Sequence, residues 1–214
     1  MKRILLASAA LMTLSTGAAL AFDDNTTVGL RYVEEETMGV DVTTRQLIVD
    51  GDHGDFQYDL SFGVEEQGTI EGERFNADVT WTGLNIGENV TFGPKFTYLS
   101  ADYDSGIGEL DSTWVGAAAK IEEEQYQVTG YAQTELGEAT DDWTFGVRTD
   151  ISISQNFMIN GEISHTNFEG LDATAVKLGS RYTVGQYYGE AGVNASDVEG
   201  VDGQGYYLGL GLSF

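Results

Sequence analysis

Apolar and polar residues alternate one by one along most of this chain, and the alternation is cleanest at its C-terminal end. Tyr206, Leu208, Leu210, Leu212 and Phe214 share one parity, while Gly205, Tyr207, Gly209, Gly211 and Ser213 share the other. Side chains two residues apart in a strand point the same way. One face of this segment is therefore wholly apolar and the other small or polar. The same template fits Phe56-Tyr58-Leu60-Phe62-Val64, Trp143-Phe145-Val147-Thr149-Ile151-Ile153 and Val176-Leu178 followed by Tyr182-Val184.

The pattern predicts twelve strands, near residues 26–34, 39–50, 55–66, 73–84, 90–103, 112–121, 124–135, 142–153, 156–167, 172–183, 186–196 and 204–214. The second is the least regular: Val40 and Val42 lie on one parity, Leu47 and Val49 on the other, which calls for a bulge or a misplaced end. Connections fall into two alternating classes. Gly51–Gly54, Asn85–Asn89, Glu122–Glu123, Ser154–Gln155 and Val184–Gly185 read as short turns. Glu34–Met38, Glu66–Gly72, Asp104–Asp111, Glu135–Asp141, Phe168–Leu171 and Ser196–Gly203 read mostly as longer, acidic loops.

Short turns at one end and longer loops at the other suit a membrane-spanning barrel whose short turns are periplasmic. Each strand leaving a short turn places an aromatic early on its apolar face: Phe56, Phe92, Tyr126, Phe157 and Tyr187, with Phe214 closing the set. These six form a candidate periplasmic girdle, since ring side chains gather at the membrane interface. Tyr32, Phe75, Trp143 and Tyr206 could form the opposite ring. A soluble barrel would instead have to bury all these large apolar residues inside and expose the glycine-rich, charged face.

The N-terminal segment is of another kind. Lys2 and Arg3 precede a stretch of apolar and small residues ending in Ala19-Leu20-Ala21, the order of a secretory signal peptide. Residues 1–21 are therefore expected to be removed, leaving one domain at 22–214. Beyond them no run is apolar enough for a transmembrane helix, which says nothing against strands.

Composition then narrows the function. Ten Lys and Arg against 35 Asp and Glu give a net charge of −25, which excludes a nucleic-acid partner, because such affinity rests on neutralising phosphates. Cysteine is absent, and so are clusters with metal-ligand spacing and phosphate-loop glycine patterns. His53 and His165 are the two histidines. Ser164 precedes His165 directly, so the pair points to opposite faces and cannot share a proton as a nucleophile and its base must. No catalytic residue, cofactor or metal is expected.

With these features in place the chain resembles the bacterial outer-membrane porin-like β-barrels, and in tone the porins of alphaproteobacteria. The likeness rests on the export signal, the hairpin pattern and the closing Gly-Tyr-Tyr-Leu-Gly-Leu-Gly-Leu-Ser-Phe. It implies an all-β, transmembrane, antiparallel up-and-down barrel, here of twelve strands, with ten or fourteen as alternatives if a turn is misread. It further implies that Tyr206, Leu208, Leu210, Leu212 and Phe214 signal to the outer-membrane assembly machinery. General porins of about sixteen strands fold a long loop into the pore. This chain has no room for one, so a monomer is expected, with outer-membrane lipid and lipopolysaccharide as neighbours.

Charge on the lipid face costs roughly 2–4 kcal/mol at mid-bilayer, so charged strand residues should face inward. Arg31, Arg74, Lys95, Lys120, Arg148, Lys177 and Arg181 all lie on the parity opposite the apolar one, with Arg45 in the irregular strand. Asp59, Asp78, Asp150, Glu162 and Glu190 join them as pore-lining candidates. Small inward residues such as Gly146, Gly179, Gly192, Gly209 and Gly211 suggest an open lumen. The expected role is passive diffusion of ions or small hydrophilic solutes beneath acidic loops. The alternative is a non-conducting structural or adhesive barrel.

Overall fold

The computed structural model describes residues 26–37, 39–86, 89–104, 108–137, 142–168 and 170–214. The expected signal peptide, with its boundary at residue 21, lies outside these residues. Twelve long strands run in chain order: β1 (Thr26–Thr37), β2 (Val40–His53), β3 (Phe56–Gln67), β4 (Ile70–Trp81), β6 (Val90–Tyr103), β7 (Gly108–Glu123), β8 (Tyr126–Glu135), β9 (Trp143–Ser154), β10 (Phe157–Phe168), β11 (Leu171–Val184), β12 (Tyr187–Val198) and β13 (Val201–Ser213). A two-residue strand, β5 (Leu84–Asn85), edges β6 and was not foreseen from the alternation.

Each long strand pairs antiparallel with its neighbour in sequence, β4 pairing with β6 past β5. The first and last strands then join, from Thr27↔Ser213 to Glu36↔Gln204, so the sheet has no free edge. Closure satisfies every ladder N–H and C=O internally, which a bilayer core without water demands. The protein is a twelve-stranded up-and-down barrel.

The alternation turns its apolar parity outward. Leu30, Phe62, Phe96, Val147, Leu178, Val193 and Leu210 are all exposed, and Leu210 reaches 67%. Register aligns them into one belt: Leu30 lies opposite Leu47 and Leu210, Ile163 opposite Val147 and Val176. In water a contiguous patch of this size would drive association. Against acyl chains it is the expected outer surface of a membrane barrel.

The Phe214 N–H donates to the Thr26 carbonyl at 2.9 Å, so both described ends share one rim, called here the lower. Four of its connections are two-residue turns, at Gly54–Asp55, Glu124–Gln125, Gln155–Asn156 and Gly185–Gln186, whereas that from Trp81 to Val90 is longer than the expected Asn85–Asn89 and contains β5. The upper rim differs from expectation. Gly68–Thr69 and Glu199–Gly200 make two-residue turns where loops of seven or eight residues were foreseen, because the flanking strands run on to Gln67 and from Val201. Glu199 and Gly200 both take positive φ, 52° and 80°, as such hairpin turns require. Much of the acid assigned to loops thus sits on strand ends. Asp141, expected in a loop, lies outside the described residues.

β2 carries no bulge. It pairs without interruption with β1 and β3, and Val42 simply points inward, buried, opposite Glu35. Its mixed parity came from Val42 and Ile48 being inward apolar residues, not from a register shift. The same register puts Arg45 on the outer face, against Tyr32 and Val64.

Candidate functional site: a charged lumen

Inward side chains enclose a cavity of about 650 Å³ lined chiefly by charged and polar groups. Arg31, Asp59, Arg74, Asp78, Lys95, Arg148, Asp150, Glu162, Lys177 and Arg181 all border it. Glu190 borders an adjoining chamber of about 90 Å³. Lys120 also points inward but sits towards the lower rim, where its Nζ lies 2.9 Å from Glu122 and 3.8 Å from Asp52.

Two clusters of paired charge organise the interior. On the β11–β1 side Arg181 makes a forked contact with Asp50, at 3.0 and 3.1 Å, and a third bond to Glu190 at 3.0 Å. Arg31 Nε meets the other Glu190 oxygen at 2.7 Å, and Thr27 donates to Asp50 at 2.6 Å. Forked guanidinium–carboxylate bonds fix geometry as well as charge. On the β4–β8 side Lys95 pairs with Asp78, Thr97 donates to Asp78 at 2.9 Å, and Tyr131 donates to Glu162 at 2.6 Å. Nearer the upper rim Arg74 pairs with Glu65 at 3.3 Å and Tyr103 donates to the same carboxylate. Arg148 reaches Asp150 two residues along its own strand, at 3.2 Å.

The inward tyrosines were missing from the sequence-based site. Tyr207 lies against Gly192 and Gly179, its hydroxyl 3.3 Å from Asn160. Tyr188 lies against Gly29 and Gly211, Tyr131 against Gly146, and Tyr103 against Gly72. These glycines are therefore filled by rings, which corrects their reading as open space. Gly209 likewise receives Glu190, and Gly205 receives Asn194. Cations cap the rings: Arg181 sits 4.4 Å from the Tyr188 centroid, Lys95 4.9 Å from Tyr131, and Lys177 and Arg31 4.9 and 5.2 Å from Tyr207. The available signal was a tyrosine on the glycine parity, as Tyr207 is between Gly205 and Gly209.

The outer face carries its own polar and aromatic groups. Phe56, Phe92, Tyr126, Phe157, Tyr187 and Phe214 all lie near the lower rim, at strand ends or close to them. At the upper rim Tyr32 and Tyr206 both donate to Glu34, at 2.8 and 2.7 Å, and Arg45 forks onto Glu66 at 2.7 and 3.3 Å. Phe75 stands beside Tyr98 there, with ring centroids 6.1 Å apart. Trp143 stacks on Phe145, and His165 packs against both while its Nδ1 meets the Thr174 hydroxyl at 2.9 Å. Ser164 and His165 point apart, as the strand demands. Among the described residues no group of His, Cys, Asp and Glu is arranged to hold a metal ion.

No family model and no curated protein matches this sequence. Among solved structures the fold is similar to the KdgM porin (TM-score 0.58, 12% identity, 87% of this chain, 99% of that one). It is also similar to the NanC porin (TM-score 0.61, 10% identity, 87% and 100%). The translocator domain of the autotransporter NalP from Neisseria meningitidis is a third (TM-score 0.54, 12% identity, 99% and 96%). At these identities the likeness concerns the fold, that of outer-membrane barrels.

Proposed function

We propose that this chain is a porin-like channel of the bacterial outer membrane for passive diffusion of ions or small hydrophilic solutes. The observation that carries the reading is the cavity of about 650 Å³ inside a closed barrel, bordered by six cations and by carboxylates on most of its walls. Two of the structural neighbours are porins, one also seen in complex with disordered oligogalacturonate. Charge in the walls sets ion preference in such pores, and the acidic upper rim draws cations towards the mouth. Export through residues 1–21, assembly through the apolar face of β13, contact with lipopolysaccharide and a monomeric state belong to the same proposal.

One observation favours the non-conducting alternative. The Arg181–Asp50–Glu190–Arg31 web and the four inward tyrosines fill part of the interior. Planar-bilayer recording of the purified protein separates the two. The channel reading expects steady conductance steps with a reversal potential displaced towards cations, and silent membranes at every protein load would overturn it.

A further inference from the structure

The lumen charges are arranged by sign. Asp50, Asp59 and Asp78 stand directly opposite one another on β2, β3 and β4, three carboxylates in a row on one wall. Arg148, Glu162 and Lys177 stand in a second row on β9, β10 and β11. Around the closed sheet β3 and β10 are six strands apart in either direction, so the two rows face each other across the bore. The row on β2–β4 is all carboxylate, with Arg74 further up β4, and the facing row is basic on balance.

Pairing then sorts which charges a solute meets. Arg181 holds Asp50 and Lys95 holds Asp78. Asp59, between them, makes no hydrogen bond or ion pair among the described residues. On the facing wall Lys177 makes no ion pair among the described residues; its ammonium rests over the Tyr207 ring and within electrostatic reach of Glu162. Arg148 is half exposed despite its contact with Asp150. Asp59, Arg148 and Lys177 border both the main cavity and the narrower chamber. Arg31, held by Glu190, and Arg148 and Lys177 on the facing wall all lie within electrostatic reach of Asp59, yet none forms an ion pair with it among the described residues.

From this placement we infer that Asp59 on one wall, with Lys177 and Arg148 on the other, is the specificity-determining constriction of the pore, and that it favours small zwitterions. This rests on the channel reading above. A solute carrying an ammonium and a carboxylate, as an α-amino acid does, meets its complement on both walls at once. A simple ion meets one attractive and one repulsive wall, and an uncharged solute of the same size gains nothing from either. The opposed charges act across a bore where water is confined, so they are screened less than surface charges. Like-signed neighbours along the acidic row also repel one another, which a passing ammonium group relieves.

The test uses the full protein in liposomes, comparing swelling rates in proline and in the uncharged erythritol, solutes of similar size, with circular dichroism confirming the folded barrel. The wild type is expected to admit proline several-fold faster. Asp59→Asn and Lys177→Gln should each bring that ratio close to one while erythritol entry persists. In bilayers under a KCl gradient the two variants should shift the reversal potential in opposite directions. Equal entry of both solutes into wild-type liposomes, or a ratio unchanged in both variants, overturns this assignment and leaves the channel standing. Liposomes that admit neither solute, with silent bilayers, overturn the channel itself and the constriction with it.

Discussion

The ring of Tyr207 on β13 lies flat along the inner wall over Gly192, and its hydroxyl ends against Gly179 and Asn160. One side chain thereby spans from β13 to β10, and only residues without a Cβ let it lie so close to the sheet. Replacing Gly192 by Val should lift the ring and cost roughly 1–3 kcal/mol through overpacking, read as a lower urea midpoint in tryptophan fluorescence. Tyr207→Ala should instead widen the lumen and raise single-channel conductance. Unchanged conductance would place the ring outside the solute path.

Arg181 and Arg45 make a second comparison. Both fork onto a carboxylate, but the Arg181 side chain is 14% exposed and the Arg45 side chain 52%. Arg181→Met leaves Asp50 short of its main partner and Glu190 with Arg31 alone, and should destabilise the barrel by roughly 1–3 kcal/mol. Arg45→Ala should change stability by about 0–1 kcal/mol, as exposed pairs do. Equilibrium unfolding of both variants in the same detergent decides the order, and a larger loss at Arg45 would contradict it.

Neighbouring residues on β9 offer a third test. Val147 faces the belt and Arg148 the lumen. Val147→Arg should cost roughly 2–4 kcal/mol in a bilayer, whereas Asn76→Arg, on the cavity wall, should stay within about 0.5 kcal/mol. Folding titrations into vesicles would reveal the difference, and equal costs would mean the faces are misassigned.

How far the sequence was legible follows from which solvent each face meets. Across the bilayer one face meets lipid and the other water, so Val147 and Arg148 declare themselves by type. Towards the upper rim both faces meet water, and polarity no longer alternates although the strand continues. That is why Glu34, Glu66, Asp197 and Asp202 read as loop when each sits in a paired strand. Arg45 lies in this zone, where an outward cation is tolerated beside Glu66. The ring-over-glycine contacts were illegible for another reason: they join strands whose alignment depends on register, and a gap for water and a slot for a ring look alike in sequence.

The pairing of β1 with β13 bears on how the molecule comes to exist at all. Thr27 and Ser213 stand 186 positions apart (213 − 27) and must find each other before the sheet closes. Contacts of such separation are slow to form, and until they do, two apolar-faced strands present unsatisfied edges to any neighbour. Loss of β13 should therefore leave an aggregating open sheet in place of a slightly smaller barrel.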